Sequence, residues 1–90
     1  MEIGARIIVK GLVQGVGFRY FVLRKALPLG IKGFVQNRFT GEVEIEAEGE
    51  RSLIEELIKE VRIGPRSAHV KDVTIEWQTF QNKFDEFTIG

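Results

Sequence analysis

The stretch "EVEIEAEG", residues 42 to 49, alternates without a break: Glu42, Glu44, Glu46 and Glu48 fall on one side, Val43, Ile45 and Ala47 on the other. Successive side chains of an extended chain point to opposite faces, so the segment predicts a strand with one apolar side and one acidic, solvated side. A sheet built around it has one face to cover. Two segments of helical period supply the cover. "SLIEELIKEVRI" sets Leu53, Ile54, Leu57, Ile58 and Val61 on one stripe, with Glu50 or Ser52 at its start and Gly64 and Pro65 at its end. "FRYFVLRKALPLG" places Tyr20 or Phe21, Leu23 or Arg24, and Leu27 at helical intervals. Gly30 followed by the apolar Ile31 suits a C-terminal cap, and Pro28 predicts that the last turn tightens or bends.

Strand patterns surround these helices. "ARIIVKGL" precedes the first, "KGFVQNRF" and the glutamate strand lie between the two with Thr40 and Gly41 as a turn, and "HVKDVTIEWQ" follows with Val73, Ile75 and Trp77 inward. The tail "FDEFTIG" is a candidate for a short closing strand. The order is βαββαβ. Two amphipathic helices over one face of a four-stranded antiparallel sheet give an α+β, ferredoxin-like two-layer sandwich, with the first and third strands as central neighbours. Arg6 and Lys10 then stand beside the glutamate row as exposed pairs worth about 0.2 to 1 kcal/mol each, which makes the row a solvated face.

Ninety residues suffice for one core without staples, so residues 1–90 are expected to form a single domain. Thirteen basic and thirteen acidic residues cancel, leaving no global field to draw in nucleic acid or an anionic membrane. Any anion site must be local. The absence of cysteine excludes a disulfide framework, a thiolate nucleophile and a cysteine zinc site, and the single His69 excludes a histidine cluster for a metal. The first apolar run is too short for a signal peptide or a span, so the chain reads as soluble and cytoplasmic. His69 reads as structural or exposed, Trp77 and the phenylalanines as core, and Ser67 has no evident base to activate it.

RNA-recognition domains share this order of elements, and "IIVKGL" and "KGFVQNRF" superficially match their signatures. Those domains stack bases on aromatic residues of the first and third strands. Here the first strand offers Ile8 and the third presents four glutamates, which repel phosphate, so no nucleic-acid partner is expected on this face.

"GLVQGVGFRYFV", residues 11 to 22, spends three of its first seven residues on glycine and then sets Arg19 where the helical pattern begins. Flexible backbone there costs conformational entropy, and an ordinary strand-to-helix loop accounts for it as well as a functional one does. Its neighbours add the specificity. "VKGLVQGVGFRYFV", "LGIKGFVQN", "TGEVEIEAEG" and "GPRSAHVKDVTIEW" together resemble the acylphosphatases from end to end of the chain, through a G-x-V-Q-G-V-x-F-R loop and a V-x-N strand. Phe34 stands where that family often has tryptophan, and Pro28 lies in a helix that usually lacks it. The resemblance implies hydrolysis of the anhydride between a carboxylate and phosphate, with Arg19 as phosphate ligand and Asn37 as organiser of the attacking water.

Chemistry is consistent with those roles. The departing carboxylate needs no strong general acid, so positioning and electrostatic complementarity can carry the reaction. Gly15 and Gly17 allow backbone N–H groups to turn around phosphate oxygens, with Gln14, Val16 and Phe18 shaping the loop mainly through backbone. The helix beyond supplies unpaired donors and a positive dipole end. Arg19 adds a planar fork that a lysine cannot reproduce. Asn37 donates and accepts, which suits holding a water, but it is no general base. The expected protein is a monomeric, metal- and cofactor-independent hydrolase of a small-molecule acyl phosphate, releasing inorganic phosphate, with no membrane partner. A non-catalytic anion-binding domain on the same scaffold is the alternative.

Overall fold

In the computed structural model, which describes all of residues 1–90, the elements are β1 (Glu2–Leu12), α1 (Phe18–Ala26), a 3-10 turn (Leu27–Leu29), β2 (Lys32–Asn37), β3 (Val43–Glu50), α2 (Arg51–Ile63), β4 (His69–Gln78) and β5 (Phe87–Ile89). They form one five-stranded sheet in the order β4-β1-β3-β2-β5. The first four strands pair antiparallel, but β5 runs parallel to β2, with Val35 opposite Ile89. The four-stranded antiparallel sheet expected from the periodicities is thus a five-stranded mixed one. Three residues are too few to show a period, and the return from one sheet edge to the other leaves no local mark.

Alternation does set which side is buried. Ala5, Ile7 and Val9 of β1 stand opposite Ala47, Ile45 and Val43 of β3, and all six are buried. Helix α2 lays Ile54, Leu57, Ile58 and Val61 on this layer. Helix α1 adds Phe18, Phe21, Val22 and Ala26, whereas Tyr20 and Leu27 point to solvent. Pro28 tightens the chain into the 3-10 turn, and Gly30 closes it in the left-handed conformation, with φ of 67°.

The glutamate face departs from expectation. Glu44 and Glu48 retain only 9% and 4% of their exposure, so the row is not a solvated face. Glu44 accepts from Arg6 Nε at 2.8 Å and from Gln36 Nε2 at 2.8 Å. Burial pushes its carboxyl up, but the hydrogen bonds from Gln36 and Arg6, with the charges of Arg6 and Arg38, outweigh burial and hold it below the usual glutamate value. Glu48 lies under the segment joining β4 to β5, residues 79–86, accepting from Gln81 N at 2.8 Å and Lys83 N at 3.0 Å. Lys83 Nζ pairs with Glu46 at 3.2 Å, and Phe84 meets Phe34 edge-on at 5.9 Å between centroids. Having left one edge of the sheet, the chain crosses the face opposite the helices to reach the other. No helix is long and apolar enough to cross a membrane.

Candidate active site

The loop between β1 and α1 is held open by its glycines. Gly15 and Gly17 have φ of 75° and 77°, the left-handed region that an L side chain enters only at a cost. A Cβ at either would meet nothing within 4 Å, so the conformation, not crowding, calls for glycine. The first helical hydrogen bond is Phe21 N to Gly17 O at 3.0 Å. No backbone carbonyl accepts from the N–H groups of Gln14 to Gly17. The helix start carries no acidic side chain. Free donors and a positive helix end therefore border one space, which Gly15 and Gly17 line and Gln14 and Val16 do not.

That space is a cleft of about 270 Å³ lined by Val13, Gly15, Gly17, Phe18, Arg19, Tyr20, Asn37 and Ile89. Arg19 and Asn37, eighteen positions apart in the chain, share it. Asn37 ends β2 on the side of the sheet that Val35 faces, and its amide makes no hydrogen bond within the chain. Arg19 pairs with no side-chain carboxylate, and its Nη1 donates to the main-chain oxygen of Gly90 at 2.9 Å. One donor of the guanidinium is used to fix its plane, and four remain.

Phe18 contributes backbone to the cleft while its ring, 1% exposed, anchors the loop in the core beside Phe21. Val16 packs partly against the same core. Gln14 differs from expectation, because its side chain as well as its backbone matters. Its Nε2 donates to Arg38 O at 2.8 Å and to Glu42 O at 2.9 Å, joining the loop to the turn that follows Asn37. Tyr20, Ile89 and the main-chain oxygen of Gly90 are additions that the sequence did not announce. Tyr20 is the residue after Arg19 on a helix, while Ile89 arrives through the parallel pairing of β5.

The acylphosphatase family model matches residues 5–89. The chain belongs to the acylphosphatase family. The acylphosphatase of Moorella thermoacetica is 47% identical over 74 residues, covering 82% of this chain and 80% of its own. That of Thermotoga maritima is 45% identical over 84 residues, 93% of this chain and 92% of its own. The crystal structure of acylphosphatase from Bacillus subtilis superposes with a TM-score of 0.94 at 38% identity, over 98% of each chain. This acylphosphatase-family chain is accordingly an enzyme, and its reaction class is acyl phosphate hydrolysis.

Proposed function

We propose that the cleft hydrolyses the carboxyl–phosphate bond of a small acyl phosphate without metal or cofactor. The backbone N–H groups of Gln14, Gly15, Val16, Gly17 and Phe18, with the N–H and guanidinium of Arg19, hold the phosphate, and Asn37 orients the water. The observation that carries this reading is that Gly15 and Gly17 of the loop, Arg19 and the unpaired Asn37 line one cleft, beside loop N–H groups that no backbone carbonyl accepts from. Water oxygen attacks phosphorus in line, the bond from phosphorus to the acyl oxygen breaks, and the carboxylate leaves with that electron pair. The proton of the water passes late to a phosphate oxygen, so neither Asn37 nor a leaving-group acid has to take or give one. Charge on the non-bridging oxygens is met by donors already in place. The same reading takes residues 1–90 as one catalytic domain, monomeric and cytoplasmic, with no nucleic-acid or membrane partner.

The test uses acetyl phosphate as substrate and inorganic phosphate as competitive inhibitor. Arg19 contacts phosphate in substrate, transition state and product, so Arg19→Ala weakens inhibition and lowers turnover together. Asn37 contacts the water, so Asn37→Ala keeps the inhibition constant while turnover falls by about 10² to 10³, the order for one preorganised polar group. Both variants are first checked for folding. Loss of phosphate inhibition in Asn37→Ala as severe as in Arg19→Ala, or unchanged turnover, removes Asn37 from its role. Activity abolished by EDTA and restored by a divalent ion refutes metal independence.

A further inference from the structure

Glu48 lies on the opposite face of the sheet from the helices, yet a continuous chain of contacts links it to the guanidinium of Arg19. Its two carboxylate oxygens take separate partners, Oε2 from Gln81 N at 2.8 Å and Oε1 from Lys83 N at 3.0 Å. Between these donors stands Asn82, the one non-glycine residue of the chain with positive φ, at 52°. A left-handed residue between two others aims their N–H groups into one concavity, an arrangement suited to a carboxylate. Charge-assisted bonds of this kind are the stronger class, and Glu48 is 4% exposed. The crossing segment is thereby pinned at its middle. Its end runs directly into β5, where Gly33 N donates to Glu86 O at 3.0 Å and Gly90 N to Val35 O at 2.8 Å. Gly90 O then receives Arg19 Nη1.

A three-residue edge strand with one buried side chain, Phe87, has little of its own to hold it in register. We propose that Glu48 is a positioning residue for the reaction: by pinning residues 79–86 it fixes β5, and through the main-chain oxygen of Gly90 it fixes the plane in which Arg19 presents its fork to phosphate. The inference rests on the phosphate-ligand role of Arg19 argued above. Glu48→Gln is the informative change, because the amide keeps the shape but turns one acceptor into a donor facing an N–H group.

The experiment measures kcat, KM and the inorganic-phosphate inhibition constant on Glu48→Gln, Arg19→Ala and the double variant, with folding verified by denaturation. In folded Glu48→Gln the inhibition constant rises by about threefold to tenfold, the size of coupling between residues in one hydrogen-bonded network. On the Arg19→Ala background the same substitution changes kcat/KM by less than about twofold, because the group it positions is gone. Amide exchange at Gly90 accelerates in Glu48→Gln while that at Leu57 in the core does not, a local loosening that global destabilisation does not produce. Wild-type phosphate inhibition in folded Glu48→Gln, or an undiminished effect on the Arg19→Ala background, overturns the proposal. Should Glu48→Gln fail to fold, Phe84→Ala loosens the same segment through its contact with Phe34 and must weaken phosphate inhibition in the same way, or the proposal fails. Unchanged phosphate inhibition in Arg19→Ala would instead bring down the proposed function itself.

Discussion

Gln14→Leu separates the loop between β1 and α1 from the turn behind Asn37 while preserving the bulk of the side chain. Its Nε2 gives one bond each to the carbonyls of Arg38 and Glu42. Neither carbonyl is orphaned by the change: Arg38 O still accepts from Gly41 N at 3.2 Å, and Glu42 O from Arg38 N at 2.8 Å. The loss is therefore two net hydrogen bonds without the added penalty of a buried unpaired acceptor, about 1 to 3 kcal/mol in all. Against a stability of about 5 to 15 kcal/mol the protein stays folded, and its Tm falls by roughly 4 to 24 °C. Urea denaturation with a wild-type m-value reads the first quantity. Steady-state kinetics read the second consequence, since Asn37 is no longer held in register with the loop: turnover drops while Arg19, attached through Gly90, keeps phosphate inhibition within about twofold. A Gln14→Leu protein as stable as wild type, or one whose phosphate inhibition collapses while turnover is kept, would refute the idea that this side chain joins two halves of a site.

Gly17→Ala meets no atom within 4 Å and pays only for its left-handed φ, so it folds with a loss of about 1 to 2 kcal/mol in a denaturation curve. Gly33→Ala drives a Cβ into the carbonyl oxygen of Glu46, and expression with circular dichroism is expected to show no stable native state. The Glu44 carboxyl is held below its ordinary value, so its contribution is complete above about pH 4.3, the unfolded value, and is lost as pH falls through the lower folded value. Glu44→Gln should therefore reduce the slope of stability against pH in that acid window, by at most about 1.4 kcal/mol per pH unit for one proton; an unchanged slope contradicts the assignment.

What local pattern could reveal here was direction, which proved sound along the strands and α2, whereas in the first helix Phe21 is buried but Tyr20 and Leu27 face solvent. Val73, Ile75 and Trp77 face the helices as their alternation requires, and the stripe of α2 is the buried one. The loop was legible for a related reason. Glycine at 15 and 17 states a backbone conformation, and an arginine two places later states a charge at a helix start. What lies over a face is a different kind of fact. Alternation put Glu44 and Glu48 on the side away from the helices, correctly, and the inference that this side is wet failed because residues 79–86 return across it. Nothing within "QNKFDEFTIG" shows that the amides of Gln81 and Lys83 will meet a carboxylate more than thirty positions earlier. The same limit governs the site: Arg19 is visible in the sequence, but the main-chain oxygen it donates to belongs to Gly90, seventy-one positions away.

Such distant partners also explain why the glutamate row tolerates burial. Each covered carboxylate is met by donors from a different element, Glu44 from β1 and β2, Glu48 from the crossing segment, so its charge leaves water with hydrogen bonds already provided. An apolar residue at position 48 would bury as readily but would leave Gln81 and Lys83 N–H without an acceptor. The carboxylate is thus the shared acceptor for two amides of the segment that leads into β5, whose Ile89 lines the cleft of Arg19 and Asn37.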